Sequence, residues 1–265
     1  MYDTIDVEPD VREAPTAAPA DLADERAADI VEALNQHEPD EAARILQSLP
    51  LERAVEVLDQ PGLDEGPAIM ALLPRALAAT YLAAMSADRV ADLFRELEEP
   101  TRGELLGRLD AETRTALEKL LAYPEASAGS IMTTEFVSVP STWTIAQVLH
   151  HIRMVERTRE TVYAVFVVHP VKHTLIHAVP LRRLISGDPH ANVLTAAPAR
   201  KPVTISALAP RDEAVRLIAK YDLLAVAVVD ARRHVIGIVT VDDVIDTMVQ
   251  RQTAEVQRFG GMEAL

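Results

Sequence analysis

The stretch "GIVTVDDVIDTM" (237–248) decides how the second half of the chain folds. Its apolar run from Gly237 to Val239 predicts a buried strand, and Thr240 with the two aspartates after it predicts the start of a helix. The same hydroxyl and carboxylates, with a third carboxylate at Asp246, are also suited to holding a charged ligand. From these residues alone, both interpretations stay open.

The stretch is the end of a unit that occurs twice. Four earlier segments match later ones in the same order: 136–139 with 202–205, 144–153 with 211–220, 162–168 with 223–229, and 173–185 with 234–245. The second pair has helical spacing, and the third pair, "VYAVFVV" and "LLAVAVV", has the composition of buried strands. Each copy therefore predicts strand, helix, strand, strand, helix. We expect the two copies to pack as a pseudo-twofold pair with a cleft between them.

The first half carries a different pattern, with large apolar residues at intervals of 12 or 24. These are Leu49, Leu73, Met85, Leu97, Leu109 and Leu121. A second apolar residue follows eight positions after each of the first five, and Pro, Ser or Asp often follows directly. Pro suits the first helical position, and Ser and Asp suit a cap. The spacing predicts short helices that persist only by stacking, either as a true helical repeat or as a compact helical domain.

Charge separates the two halves. Residues 1–125 hold 28 Asp and Glu against 11 Lys and Arg, whereas residues 126–265 hold 13 against 15. The acidic half argues against a nucleic-acid partner and suits cations or basic protein surfaces.

The chain has no cysteine, which excludes disulfides and thiolate chemistry, and it shows no catalytic constellation. Its apolar runs are too short for membrane helices. We therefore expect a soluble protein that is not an enzyme.

The motifs in combination resemble a known family. Gly237, Ile238, Val239, Thr240 and Asp243 fit the closing motif of a CBS domain. Together with "YPEASAGSIMTTEFVSV" (123–139), "KYDLLAVAVVD" (220–230) and "RFGGMEAL" (258–265), the chain resembles the cytosolic region of MgtE-type magnesium transporters. The resemblance implies an α plus α/β architecture, in which a short-helix superhelical domain precedes a tandem CBS pair. The expected boundaries are an acidic tail 1–20, a helical domain 21–122, a linker 123–130, CBS units 131–190 and 191–248, and a connecting helix 249–265.

The resemblance also implies a function for the carboxylates. In the family, Mg²⁺ fills acidic sites between the helical domain and the CBS pair, and the closed form shuts the pore. The matching positions are Glu56, Asp88 and Asp92 on the helical side, and Asp212, Asp222, Asp243 and Asp246 on the CBS side. Asp88 and Asp92 share a helix face because they are four residues apart. Magnesium is the expected ligand, because facing carboxylates repel unless a hard cation neutralises them.

An adenine nucleotide such as ATP is the second ligand that the resemblance implies. Asp243 would take the ribose hydroxyls, and Thr240 and Arg182 would contact phosphate. The first copy departs from the motif, with Pro180 and Arg183 where Thr and Asp belong. We therefore expect at most one nucleotide site per chain.

Other departures concern the bridging sites. Pro210, Arg251 and Ala254 replace acids of the family, so we expect fewer magnesium ions and some direct arginine–carboxylate pairing between the domains.

The resemblance implies a homodimer through the CBS units, a membrane pore after this segment, and a place on the cytoplasmic side of the inner membrane. The alternative is a stand-alone CBS pair that senses adenine nucleotides and regulates another partner.

Overall fold

The computed structural model describes Leu22, residues 24–155 and 162–245, and Met248. The first part consists of short helices joined by tight corners. They are α1 (Ala27–Leu34), α2 (Pro39–Ser48), α3 (Leu51–Leu58), α4 (Gly66–Leu72), α5 (Arg75–Ala84), α6 (Ala87–Glu96), α7 (Thr101–Leu106) and α8 (Ala111–Leu121). Within the described part of the chain, no helix combines the length and apolarity needed to cross a membrane.

The predicted 12-residue spacing marks the corners. Leu49, Leu73, Met85 and Leu97 each directly follow a helix as its C-cap and are buried, as is Leu109. The five residues eight positions further on are buried too: Val57, Tyr81, Leu93, Leu105 and Leu117. Leu121 differs, because it is the last residue of α8 and only partly buried.

The caps follow the sequence with a shift of one residue. Pro50 and Pro74 are N-caps with extended backbone rather than first helical residues. Asp110 is the N-cap of α8, and its carboxylate accepts the backbone N–H groups of Glu112 and Thr113 at 2.9 and 3.0 Å. The start of α8 is therefore locally encoded, because this capping residue satisfies donors that a helix leaves unpaired.

Each helix of the first part packs against the helix two places further along the chain, from α1 on α3 to α6 on α8. Helices of 6 to 11 residues are too short to be stable alone, so the coil is stabilised by the buried apolar stripe that neighbours share. This confirms the predicted helical superhelix. Its fully buried side chains include Tyr81, Phe94 and Met70.

The second part contains the duplicated unit. In the first copy, β1 (Val137–Pro140) leads through α9 (Ile145–Val155) to β2 (Ala164–Val168), β3 (Leu175–Pro180) and α10 (Leu181–Ile185). In the second copy, β4 (Thr204–Ser206) leads through α11 (Arg211–Tyr221) to β5 (Ala225–Val229) and β6 (Val235–Thr240), and residues 241–245 are helical. The predicted order of elements is confirmed.

The two sheets have the same topology. Each pairs its first strand parallel and its third strand antiparallel to its central strand, and each has an irregularity near the end of the central strand. The hairpins meet where Thr174 bridges His234, and the N–H of Leu175 donates to the carbonyl of Arg233 at 2.9 Å. Phe166, Leu175, Ala227 and Ile238 form a small apolar cluster drawn from both sheets. The copies therefore pack face to face through equivalent strands.

From Ala128 to Thr133, the segment between the helical domain and β1 packs on the second CBS unit. Ala128 and Gly129 donate to the carbonyls of Ala209 and Ala207 at 2.7 and 2.8 Å. Further on, Thr133 and Ile238 exchange two backbone hydrogen bonds of 2.9 Å each. Residues 127–130 are buried, so this junction is part of the packed structure and fixes where the helical domain meets the CBS pair.

Candidate functional site

A cavity of about 500 Å³ lies where the helical domain meets the junction and the second CBS unit. Its walls come from three places: the corner before α4 together with α6, the junction segment, and the start of the second CBS helices. The lining residues are Pro61, Leu63, Asp64, Pro67, Asp88, Arg89, Asp92, Leu93, Arg95, Glu96, Glu125, Ser130, Ile131, Arg211 and Asp243. Nine of these fifteen side chains are charged, six acidic and three basic, so the cavity is built for ions rather than for an apolar molecule.

The helical side of the cavity is one face of α6. Asp88, Asp92 and Glu96 are spaced by four residues, and all three line the cavity, as the sequence predicts for the first two. Asp88 is buried, with 6% of its surface exposed, whereas Asp92 is partly exposed. The opposite face of α6 packs Val90, Ala91 and Phe94 into the core, which fixes the direction of the acidic face.

Asp92 is surrounded by arginines. Arg95 Nη1 donates to Asp92 Oδ1 at 2.8 Å, and Arg89 Nη1 lies 3.6 Å from Asp92 Oδ2. Burial raises the pKa of Asp92 above its ordinary value, while the charges of Arg89, Arg95 and, across the cavity, Arg211 oppose that rise. The carboxylate is therefore costly to bury, and the three guanidinium groups offset part of that cost.

Asp243 forms the wall on the CBS side and also caps its own helix. Its Oδ2 accepts the backbone N–H of Thr240 at 2.8 Å and the Thr240 hydroxyl at 2.6 Å. The first of these bonds is one half of a capping box, in which the third helical residue satisfies the cap's N–H. Asp243 therefore caps its helix, as one interpretation of the opening stretch predicts, and the same carboxylate lines the cavity. Thr240 is buried, at 1% exposure.

The other predicted site residues lie elsewhere. Glu56 is exposed on α3 and pairs with Arg53 of the same helix. Asp212 is exposed in the first turn of α11, and Asp222 is that helix's exposed C-cap, with left-handed backbone at φ 51°. Arg182 is exposed on α10. Asp246 lies outside the described residues. The structure thus brings together Asp88, Asp92 and Asp243 of the predicted set.

The cavity is suited to a hydrated divalent cation. Among the described residues, no group of three or more acidic or histidine side chains is placed to hold a bare metal ion. Mg²⁺ keeps several waters and needs only one or two carboxylates, so this result is compatible with an ion held between facing walls. Asp88 and Asp243 line the cavity from the two domains, and Asp92, which also lines it, contacts Arg95 at 2.8 Å.

Sequence reasoning did not identify the arginines of the cavity. Arg89 and Arg95 flank Asp92 at i−3 and i+3, a spacing that signals ion pairing but not its partners across the junction. Arg95 also donates to the carbonyls of Ser130 and Leu120, each at 3.3 Å, and these lie 35 and 25 residues away. Nothing local in the sequence specifies such long-range contacts.

Comparison with family models assigns both parts of the chain. Residues 25–126 match the model described as the MgtE intracellular N domain, and residues 194–250 match the CBS domain model. The first match ends within the junction and the second includes Thr240, Asp243 and Asp246.

Similar proteins agree with that assignment. The magnesium transporter MgtE of Thermus thermophilus is 32% identical over 222 residues, which is 83% of this chain and 49% of that protein, so this chain spans about half of its relative's length. A crystal structure of the cytosolic domain of the Mg²⁺ channel MgtE in complex with ATP is 31% identical, with a TM-score of 0.80 and coverage of 86% of this chain and 93% of that one. The soluble part of a magnesium transporter is 26% identical at TM-score 0.72, with coverage of 88% and 96%. The chain belongs to the MgtE family and contains the N domain and CBS pair of that family's cytosolic region.

Proposed function

We propose that this chain is a Mg²⁺-sensing regulatory region that closes its helical domain on the second CBS unit to gate ion flux through a membrane pore. The observation that carries this proposal is the shared cavity, because Asp88 on α6 and Asp243 on the CBS side line it from opposite domains. Bringing carboxylates together is unfavourable unless a cation lies between them, so cation concentration sets the balance between closed and open forms.

The ion's ligands are proposed to be Asp88 and Asp243, with Asp92 and Asp246 as further contributors. Asp92 contributes only when its contact with Arg95 at 2.8 Å loosens. Glu56, Asp212 and Asp222 lie outside the cavity and would have to act at separate ions. The proposed role of magnesium here is to neutralise charge, and the residues of this chain supply the oxygens.

A nucleotide site is proposed at Thr240 and Asp243, with Arg182 as a phosphate contact. ATP is bound by the similar cytosolic domain described above. In this chain the Thr240 hydroxyl donates to Asp243, so a phosphate at Thr240 requires that bond to be exchanged. In the first copy, Pro180 is the N-cap of α10 and Arg183 donates to the carbonyl of Ala196 at 3.3 Å. One site per chain is therefore expected.

A homodimer through the CBS units is proposed for the assembly, and a membrane pore is the proposed target of the closure. Several large apolar side chains of the second CBS unit are exposed, namely Leu208, Tyr221, Leu224, Ile245 and Met248. Burying them against a second copy would remove them from water.

The test is a distance measurement between the domains. The sequence has no cysteine, so a chain with Glu32→Cys on α1 and Arg232→Cys in the second hairpin has two cysteines, and the dye pair is attached to these two. An excess of unlabelled chain keeps energy transfer within one chain. At fixed ionic strength, added Mg²⁺ should shift the transfer efficiency to a closed value.

The response should weaken in Asp88→Asn and in Asp243→Asn. Asp40→Asn is the matched control, because it removes the same charge from an exposed position on α2 outside the cavity. Equal responses in all three variants, or no response to Mg²⁺ in the parent chain, would contradict the proposal.

A further inference from the structure

We propose that Asp59 is a positioning residue for the ion site, because its carboxylate fixes the start of α6, the helix that presents Asp88 to the cavity. Asp59 is not one of the lining residues given above, so it acts on the ion through α6. This inference rests on the proposed function and deepens it, because it names a contact on which the geometry of the ion's ligands depends.

The contact joins two helices that are far apart in the chain. Asp59 is the C-cap of α3, and its Oδ1 accepts both the backbone N–H and the hydroxyl of Ser86, each at 3.2 Å. Ser86 is the N-cap of α6 and is buried, with 8% of its surface exposed. Among the described residues, the Ser86 side chain accepts no first-turn N–H of α6. The start of α6 is therefore held from α3, 27 residues earlier in the chain.

A second contact joins the same two segments. Arg89 Nη2, in the first turn of α6, donates to the carbonyl of Gln60 at 3.0 Å. Together with the contact of Ser86, it anchors α6 two residues before Asp88 and one residue after it. Because the helix is held on both sides of Asp88, the backbone that carries this carboxylate has little freedom to shift or rotate.

The same contacts fix a second wall of the cavity. The corner before α4 begins directly after Gln60 and contributes to the lining Pro61, Leu63, Asp64 and Pro67. Asn35 holds this corner from α1, because its Nδ2 donates to the Gly62 carbonyl at 2.7 Å and its Oδ1 accepts the Asp64 N–H at 3.1 Å. The separation between the corner and α6 is therefore set where Asp59 and Gln60 meet the start of that helix.

The Asp59 carboxylate occupies this position despite a cost. Burial raises its pKa above the ordinary value, while the hydrogen bonds from Ser86 and the charge of Arg89 oppose that rise. The gain that offsets this cost is an acceptor for two donors of the buried Ser86, since a buried donor without a partner is unfavourable.

The first test measures whether Asp59 holds the start of α6. The Val90 N–H donates to the Ser86 carbonyl at 3.0 Å, so its hydrogen exchange reports opening of the first turn. Asp59→Ala should accelerate this exchange about 5-fold to 160-fold, because the Ser86 donors lose their acceptor. Asp59→Asn keeps an acceptor oxygen and should exchange close to the parent rate. The Ala78 N–H, which donates to the Pro74 carbonyl at the start of α5, should change far less in both variants.

The second test measures whether the ion site depends on that contact, with the same dye pair. Asp59→Ala should raise the Mg²⁺ concentration at the midpoint of closure about tenfold, as loss of a supporting hydrogen bond does at metal sites. Saturating Mg²⁺ should still give the closed transfer efficiency, which shows that this variant is folded. Asp59→Asn should keep the parent midpoint.

Asp110→Ala is the matched control for the second test. The Asp110 carboxylate accepts the N–H groups of Glu112 and Thr113 at the start of α8, outside the cavity. Its loss weakens a helix start without removing a contact of α6, so the Mg²⁺ midpoint should stay at the parent value.

The inference is overturned if Asp59→Ala leaves Val90 exchange at the parent rate, or if it shifts the Mg²⁺ midpoint no more than Asp110→Ala does. It is also overturned if Asp59→Asn shifts the midpoint as far as Asp59→Ala, because the charge of Asp59 would then matter rather than its contact. A parent chain that does not respond to Mg²⁺ would refute the ion-sensing function itself, whereas accelerated Val90 exchange in Asp59→Ala would still support the hold of Asp59 on α6.

Discussion

Replacing Gly129 by alanine should loosen the junction that holds the two domains together. An added Cβ would lie 2.6 and 2.7 Å from ring atoms of Tyr123 and 3.0 Å from the carbonyl of Ala207. Carbon atoms pack favourably at about 3.5–4.0 Å, so the Tyr123 ring must move by about 1 Å, and overpacking of this kind costs about 1–3 kcal/mol. The carbonyl is the acceptor of the Gly129 N–H at 2.8 Å, and weakening that bond adds about 0.5–1.5 kcal/mol.

The expected loss of about 1.5–4.5 kcal/mol is measurable as amide hydrogen exchange. The reporter is the Ala128 N–H, which donates to Ala209 at 2.7 Å and exchanges when the junction opens. Its exchange should accelerate about 10-fold to 2000-fold, because each 1.36 kcal/mol is a factor of ten. Gly62→Ala is the control, since its Cβ would meet only Val31 at an ordinary 3.8 Å. If Gly129→Ala leaves Ala128 exchange within threefold of that control, the junction is not packed as described.

Three further outcomes follow from the structure. Leu105 is fully buried, so Leu105→Ala should lower the free energy of unfolding, measured by urea titration, by about 2–5 kcal/mol. Leu72 is 54% exposed, so Leu72→Ala should lower it by less than about 0.5 kcal/mol. Burial raises the pKa of Asp59, so its charge destabilises the fold at pH 7, and this penalty is relieved as the pH falls through the raised pKa toward the ordinary value. Asp59→Asn keeps an oxygen for the Ser86 donors, so it should raise the urea midpoint at pH 7 and lose that advantage near pH 4. Asp243→Ala should abolish ATP binding in calorimetry, and a retained nucleotide site would exclude this residue as a ligand. The same substitution should lower the free energy of unfolding by about 0.5–2 kcal/mol, because the helix loses its cap.

The helical domain was predictable because its signals are local. The 12-residue spacing places Leu49 and Leu73 at the corners, where each must be buried for the next helix to pack. The duplicated strand runs likewise predict the CBS pair, because equivalent sequences form equivalent sheets in the same register. Among the residues of the candidate site, it was predictable that Asp88 and Asp92 lie on the same face of one helix, because they are four residues apart.

The arrangement around those residues was not predictable, because it depends on contacts between distant segments. Residues 123–130 have the composition of a linker, yet backbone hydrogen bonds attach them to Ala207 and Ala209, about 80 residues later. The three contacts of Arg95 have the same origin. Periodicity identifies which side chains share a face, but not which partner lies opposite.

The most direct test of the account is to locate the ion. Crystals of this chain soaked with Mn²⁺, an oxygen-seeking substitute for Mg²⁺ with anomalous scattering, should show a peak in the cavity between Asp88 and Asp243. Its position should put carboxylate oxygens or bridging waters within about 2.0–2.6 Å of the metal. Peaks confined to positions outside the cavity, such as Glu56 or Asp222, with the space between Asp88 and Asp243 empty, would contradict the central claim that a cation in this cavity couples the two domains.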